Sequence, residues 1–279
     1  MPRHPVKWLI ATLLGGYVLI CLGACALQDS FAFFPDATPA SLPASSIAQR
    51  VEIETSDGEQ LVAFHAEAKD ETCPTTVNFH GNAQHLDGLA SVTDLYARNG
   101  MGFLAVAFRG YSGSTGRPSE AGVRRDGQSA YEYLIDRGVS PERIVVRGFS
   151  LGSTVAIGVA ADNPSAALIL GAPFESGTRL GGEQMPFLPV SLLASGAFRS
   201  DRLAPRVDEP VLIIHGDSDR IIPAAHSEDL AKAFPTEPTR IVIHGRGHND
   251  LQVAGYESLI TNFLAPKFPD CAPLQELTQ

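Results

Sequence analysis

Ser150 lies within Gly148-Phe149-Ser150-Leu151-Gly152, a G-x-S-x-G pattern that marks a candidate nucleophile. The chemistry it suits is acyl transfer. The hydroxyl attacks a carbonyl carbon, and the flanking glycines let the chain turn tightly enough to hold the serine clear of the neighbouring strand and helix. A serine hydroxyl is a poor nucleophile at neutral pH, so it requires a base within hydrogen-bond reach and a third group to orient that base. Eight histidines are available. His4 falls in an apolar N-terminal segment, His65 inside a hairpin, His85 at a helix start and His226 on a helix, while His80, His215 and His244 each end a strand signal directly before glycine. His248, in Gly245-Arg246-Gly247-His248-Asn249-Asp250, follows the last strand signal, where a Gly-x-Gly-His loop can carry an imidazole over the sheet edge. It is the expected base.

The acid is expected between the serine and that histidine in chain order. Asp217 and Asp219 share one loop after the strand signal at 211–214. Asp219 is preferred, because it lies farther from the strand and directly before the turn into the next helix. Asp217 is read as bracing the turn through backbone N–H groups. Charge that develops on the carbonyl oxygen needs two preorganised donors. One is the backbone N–H of Leu151, where the helix dipole adds to it; the other is that of Asn82 in His80-Gly81-Asn82-Ala83. In that role the Asn82 side chain is free, so Asn82→Ala should cost less than its position suggests. His80 is read as structural. No metal or cofactor is expected.

These residues need a frame that brings them to one edge. A hairpin signal over 50–68 turns at Ser56-Asp57-Gly58, and from there strands and helices alternate. Strands are expected at 75–79, 102–108, 144–147, 167–170, 211–214 and 240–243, with helices at 84–99, 119–137, 151–160, about 223–234 and 249–264. That alternation implies an α/β fold: a doubly wound, mainly parallel sheet with an antiparallel N-terminal hairpin, whose ligands bind beyond the C-terminal strand ends. At 279 residues one domain is the simpler reading. A net charge of −10 without a Lys/Arg cluster excludes the electrostatic footprint of a nucleic-acid binder.

Residues 1–25 form a signal or anchor segment, with Arg3 and Lys7 preceding an uncharged run from Trp8 to Gln28. About twenty such residues suffice to cross a bilayer. Leu22-Gly23-Ala24-Cys25 also reads as a lipobox, so the expectation is a lipoprotein lipidated on Cys25, with an uncleaved signal anchor as the alternative. Both place the body on the extracytoplasmic side, in a bacterial periplasm or at the cell surface. A tether without regular structure is expected at 26–49, whose Phe31-Ala32-Phe33-Phe34 cluster lies on the membrane or packs on the domain, and then a catalytic domain at 50–266 and a tail at 267–279. Cys73 and Cys271 are a candidate disulfide for an exported body.

Taken together, the elbow, the H-G-N-A stretch, Arg109-Gly110-Tyr111-Ser112-Gly113, His215-Gly216-Asp217-Ser218-Asp219 and Gly247-His248-Asn249-Asp250 resemble the α/β-hydrolase superfamily, in its order and across about residues 50–265. The H-G-N-A and R-G-Y signatures with an N-terminal anchor resemble its small membrane-attached, depalmitoylase-like branch. The resemblance implies a triad of Ser150, Asp219 and His248. The insertion at 171–206 looks too short for a large lipase lid, so a small or absent lid and an open site are expected, with Phe174, Met185, Phe187 and Leu188 as candidate acyl-pocket residues. The expected activity is that of a monomeric, membrane-tethered serine esterase or thioesterase acting on an acyl ester, acylated protein or lipid. A serine peptidase of the same fold and a non-catalytic hydrolase-like surface lipoprotein are the alternatives.

Overall fold

A computed structural model describes residues 5–194, 198–253 and 255–271 of the chain. Eight strands form one sheet: β1 (Gln49–Glu54), β2 (Gln60–Ala66), β3 (Thr75–Phe79), β4 (Gly102–Val106), β5 (Ile144–Phe149), β6 (Ala167–Gly171), β7 (Val211–Gly216) and β8 (Thr239–Ile243). Their order is β1-β2-β4-β3-β5-β6-β7-β8. β2 runs antiparallel to β1 and β4, and every other pairing is parallel. This is the doubly wound sheet with a leading antiparallel hairpin of an α/β-hydrolase fold. The central strands are buried along their whole length, as expected where helices cover both faces, whereas the edge strand β8 alternates exposed and half-buried positions.

Among the described residues, ten α-helices accompany the sheet: α1 (Pro5–Ala26), α2 (Gln28–Ala32), α3 (Ala90–Arg98), α4 (Glu120–Asp136), α5 (Leu151–Asp162), α6 (Gly177–Gln184), α7 (Val190–Leu193), α8 (Ser200–Leu203), α9 (Ala225–Ala231) and α10 (Tyr256–Leu264). Local chemistry sets several of their ends. Ser119 caps α4 by accepting from the Gly122 N–H at 3.1 Å. The helix expected at 84–99 begins as a 3₁₀ turn, Leu86–Leu89, because the His85 ring accepts the Asp87 N–H there. α10 starts later than expected: Asp250 accepts the Gly247 N–H at 2.7 Å, which folds the chain into a turn, and Gly255 with φ +89° precedes the helix.

The segment expected to be a structureless tether carries α2 and packs on the body. Phe33, Ala40 and Ala48 are buried in the common core, because an aromatic cluster beside an apolar wall gains more from burial than from solvent. At the other end, Cys73 and Cys271 are bonded with Cα atoms 5.0 Å apart, joining the approach to β3 to the chain beyond α10. Two buried arginines, through their ion pairs, fix the frame around the sheet. Arg109 donates to Asp126 on α4 and to Asp57 in the hairpin turn, each within 2.9 Å. Arg147 on β5 makes a bidentate pair with Glu257 on α10 at 2.7 and 2.8 Å, and Tyr96 donates to the same carboxylate.

His65 and His80 are buried, and desolvation pushes both down to about 4. They are neutral in the native protein at pH 7. In the unfolded chain they bind protons from about pH 6.5 downward, so the unfolded state takes up more protons as pH falls. Stability is therefore expected to be full above about pH 6.5 and to decline toward pH 4, by up to about 3 kcal/mol for each histidine. Urea unfolding midpoints across that range measure it, and His65→Gln should flatten part of the slope.

Candidate active site

The strand register brings the predicted residues to one edge. Phe79 pairs with Gly148, Phe149 with Gly171, Gly171 with Ile214, and Gly216 with Ile243. The segments that follow these strands therefore emerge side by side: His80–Ala83, Ser150, Asp217–Asp219 and His244–His248. Ser150 has φ 52° and ψ −118°, an unfavourable conformation for a residue with a side chain. The turn is held by Ser150 N–H donating to Gly171 O at 2.8 Å and by Ser153 Oγ donating to Gly148 O and Gly171 O. A Cβ at Gly148 would sit 2.2 Å from Gly152 O, and one at Gly152 would sit 2.1 Å from Phe79 O. Neither glycine position leaves room for a larger residue.

Ser150, His248 and Asp219 form a hydrogen-bonded line. Ser150 Oγ lies 2.9 Å from His248 Nε2, and His248 Nδ1 lies 2.7 Å from Asp219 Oδ2. With Nδ1–H donated to the carboxylate, Nε2 is left as the acceptor for the serine hydroxyl. All three residues are buried, and the Phe149 ring packs 5.1 Å from the imidazole. Asp219 Oδ1 accepts the N–H groups of Ile221 and Ile222, both at 2.8 Å. Burial alone would raise its carboxyl, but hydrogen bonds from His215, His248 and the Ile222 N–H together hold it well below the usual carboxylate range.

Asp217 sits apart from this line. It accepts the Gly245 N–H at 2.7 Å and the His244 ring at 2.8 Å, bracing the loop that carries His248. His80 is wholly buried; its Nδ1–H donates to Gly81 O and its Nε2 accepts the Phe108 N–H, so it ties the β3 end to the β4 end. His215 was not singled out in the sequence. Its Nε2–H donates to Ile222 O at 2.9 Å and lies 3.4 Å from Asp219 Oδ2, supporting the carboxylate from behind. The sequence signal was available: His215 and Asp219 lie four residues apart on one strand-end loop.

Asn82 and Leu151 line the same cavity as Ser150 and His248. The Asn82 side chain is not free, contrary to expectation. Its Nδ2 donates to Ala32 O at 2.8 Å, and its Oδ1 accepts from Phe34 N–H at 2.9 Å and from Tyr111 Oη at 2.8 Å. It clamps the N-terminal segment to the loop beside the serine, with the next residue, Ala83, at φ +58°. Asn82→Ala would leave these partners unpaired and is expected to lower stability by about 1–3 kcal/mol and turnover severalfold. Thermal melts and kcat measured together test this.

The cavity has a volume of about 500 Å³ and a largely apolar wall that includes Phe33, Phe174, Leu180, Met185, Leu188 and Phe198. Phe33 packs edge-on to Phe198, which meets Phe174 the same way. α6, α7 and the N-terminal segment together make a small lid beside the cavity. Phe187, expected in this wall, is instead 67% exposed, since the turn at Pro186 and Pro189 directs it outward. Among the described residues no group of three or more His, Cys, Asp or Glu is arranged to hold a metal ion.

The model of the dienelactone hydrolase family matches residues 88–248, which include Ser150, Asp219 and His248. An uncharacterised protein of Mycobacterium tuberculosis is 35% identical over 250 residues, 88% of each chain. Human alpha/beta hydrolase domain-containing protein 17B is 30% identical over 205 residues, 72% of this chain and 69% of that one. A solved esterase of Pyrococcus furiosus superposes with a TM-score of 0.67 at 20% identity, covering 84% of this chain and 99% of that one. An acetyl xylan esterase from Paenibacillus gives 0.65 at 18% identity, covering 89% and 93%.

Proposed function

Because the chain belongs to the dienelactone hydrolase family within the α/β-hydrolase superfamily, we propose that it is a serine hydrolase cleaving acyl ester or thioester bonds through an acyl-enzyme on Ser150. The observation that carries this reading is the unbroken line from Asp219 through His248 to Ser150 Oγ. His248 Nε2 takes the serine proton as Oγ attacks the substrate carbonyl carbon. The oxyanion that forms is met by the backbone N–H groups of Leu151 and Asn82. As the tetrahedral species collapses, the imidazolium gives its proton to the departing alkoxide or thiolate. Water then repeats the sequence on the acyl-enzyme, releasing the carboxylic acid and restoring Ser150. Asp219 stays ionised throughout and holds the imidazole in the working tautomer.

The apolar wall beside Ser150 favours an acyl chain over a peptide as the group bound there. An esterase reading also agrees with the names of the solved esterases that share this fold. The helix from Val6 to Ala26, 21 residues long with a mean hydropathy of 2.2 over an 18-residue stretch and most of its surface exposed, supports attachment to a membrane, and Arg3 and Lys7 ahead of it favour the body on the extracytoplasmic side. Attachment is through this helix or through lipid on Cys25. A fluorophosphonate probe followed by peptide mass spectrometry should place the adduct on Ser150, and short acyl esters should be turned over where short peptides are not. Folded protein that takes no label would overturn the reading. Intact mass of the membrane-extracted chain separates a diacylated Cys25 from an uncut Met1.

A further inference from the structure

The N-terminal helix and the cavity share a wall. Tyr17, Cys21, Ala24 and Gln28 recur at three- to four-residue spacing, which places them on one stripe of the helical N-terminal segment. Tyr17 Oη donates to the Phe187 carbonyl at 2.9 Å, and Cys25 Sγ lies 3.6 Å from the Leu193 carbonyl. Residues 187–193 therefore run alongside α1 from Tyr17 to Cys25, about 12 Å of helix axis at 1.5 Å per residue. The other faces of α1 are bare, with Trp8, Leu13, Leu19 and Leu22 all exposed.

Length fixes where that contact lies relative to lipid. Twenty-one residues extend about 30 Å, the thickness of a bilayer hydrocarbon core, so none of the helix is spare. The 12 Å shared with residues 187–193 falls inside the near leaflet. The sequence of this lid segment suits such a place: no charged residue occurs from Met185 to Phe198. Leu192 is 84% exposed and Phe187 67% exposed, large apolar groups left uncovered on the outer side of the lid. On its inner side the same segment lines the cavity through Leu188, Val190 and Leu193, next to Ala24 and Cys25 of α1.

We propose that residues 187–193 and the C-terminal half of α1 insert together into the adjacent leaflet of a lipid bilayer, so that the cavity receives its acyl chain sideways from the hydrocarbon. The proposal rests on the membrane-attached hydrolase reading above. With the helix uncleaved, α1 and the lid enter the leaflet together; in a chain cut before Cys25, the lipid on that cysteine takes the place of α1 beside residues 187–193, because Cys25 lies against Leu193. The substrate class is thereby narrowed to esters or thioesters whose acyl chain resides in the membrane.

The test uses the full chain reconstituted in phosphatidylcholine vesicles. Trp8 is the single tryptophan, so Trp8→Phe with Phe187→Trp places one fluorophore on the lid. Lipids brominated near the headgroup end of the acyl chain should quench it by about half or more, whereas an unquenched signal would overturn the proposal. A second variant, Phe187→Ser with Leu192→Ser, should hydrolyse soluble p-nitrophenyl butyrate within about twofold of the parent and vesicle-borne p-nitrophenyl palmitate at least about tenfold more slowly. Equal loss on both esters, or no loss on the palmitate, would also overturn it. Failure of the parent chain to turn over either ester counts against the hydrolase reading, and the quenching arm still decides insertion. A parent chain that does not float with the vesicles removes the membrane reading and the proposal together.

Discussion

Ser150→Ala is expected to abolish fluorophosphonate labelling and to lower kcat for a short acyl ester by about five to six orders of magnitude, leaving KM nearly unchanged. The loss is large because the hydroxyl is the atom that forms the acyl bond, and the neighbouring groups act only through it. Residual turnover would come from the backbone donors and the apolar wall, which orient the ester but supply no nucleophile. The variant should fold. Ser150 N–H still donates to Gly171 O, Ser153 still ties Gly148 to Gly171, and alanine inherits the same backbone angles. Ser150→Gly extends the test, since φ 52° and ψ −118° are strained for serine and free for glycine. It should be equally inactive and about 1 kcal/mol more stable. A gain in melting temperature with total loss of turnover would mark the strain as held in place by the surrounding sheet and helix. Turnover retained by either variant would remove Ser150 from the reaction.

The positions of Ser150, Asp219 and His248 were legible because each lies within about five residues of a strand end, and strand ends are set by short local signals. The β-branched run before Ser150, the paired glycines around it and the Gly-x-Gly-His loop all act over fewer than ten residues. What the sequence hid depends on contacts between distant segments. The Asn82 side chain bonds to Ala32 and Phe34, some fifty residues earlier, and no periodicity announces such a clamp. The 26–49 stretch read as a tether because its composition is rich in proline, alanine and serine. Its burial comes from Phe33 finding Phe198 across the cavity, a meeting that local composition does not encode. Phe187 reads as a wall residue from hydrophobicity alone, but two prolines turn it outward. Composition gives a residue's affinity for an apolar environment without saying whether protein or lipid supplies it.

Asp219→Asn is expected to lower kcat by about 10⁴-fold while Asp217→Asn, two residues away, lowers it by less than about tenfold. The difference lies in what each carboxylate holds. Asp219 is buried and uses Oδ1 to accept two backbone N–H groups at 2.8 Å, which fixes its rotamer and aims Oδ2 at His248 Nδ1. In the asparagine variant the carbonyl oxygen keeps the backbone donors, so the amide nitrogen takes the place of Oδ2. A donor there faces the Nδ1–H of His248, and the imidazole escapes the clash by moving its proton to Nε2. Nε2 then has no lone pair for the Ser150 proton, and the nucleophile is not activated. His215 cannot compensate, because its Nε2–H is itself a donor committed to Ile222 O. Asp217 instead accepts from Gly245 and His244 at a solvent-exposed loop, where asparagine retains one acceptor and water supplies the rest. Steady-state kinetics with a short ester, with circular dichroism to confirm both folds, separates the two. Comparable losses in both variants would mean that the loop acts as one rigid unit and that Asp219 has no orienting role of its own.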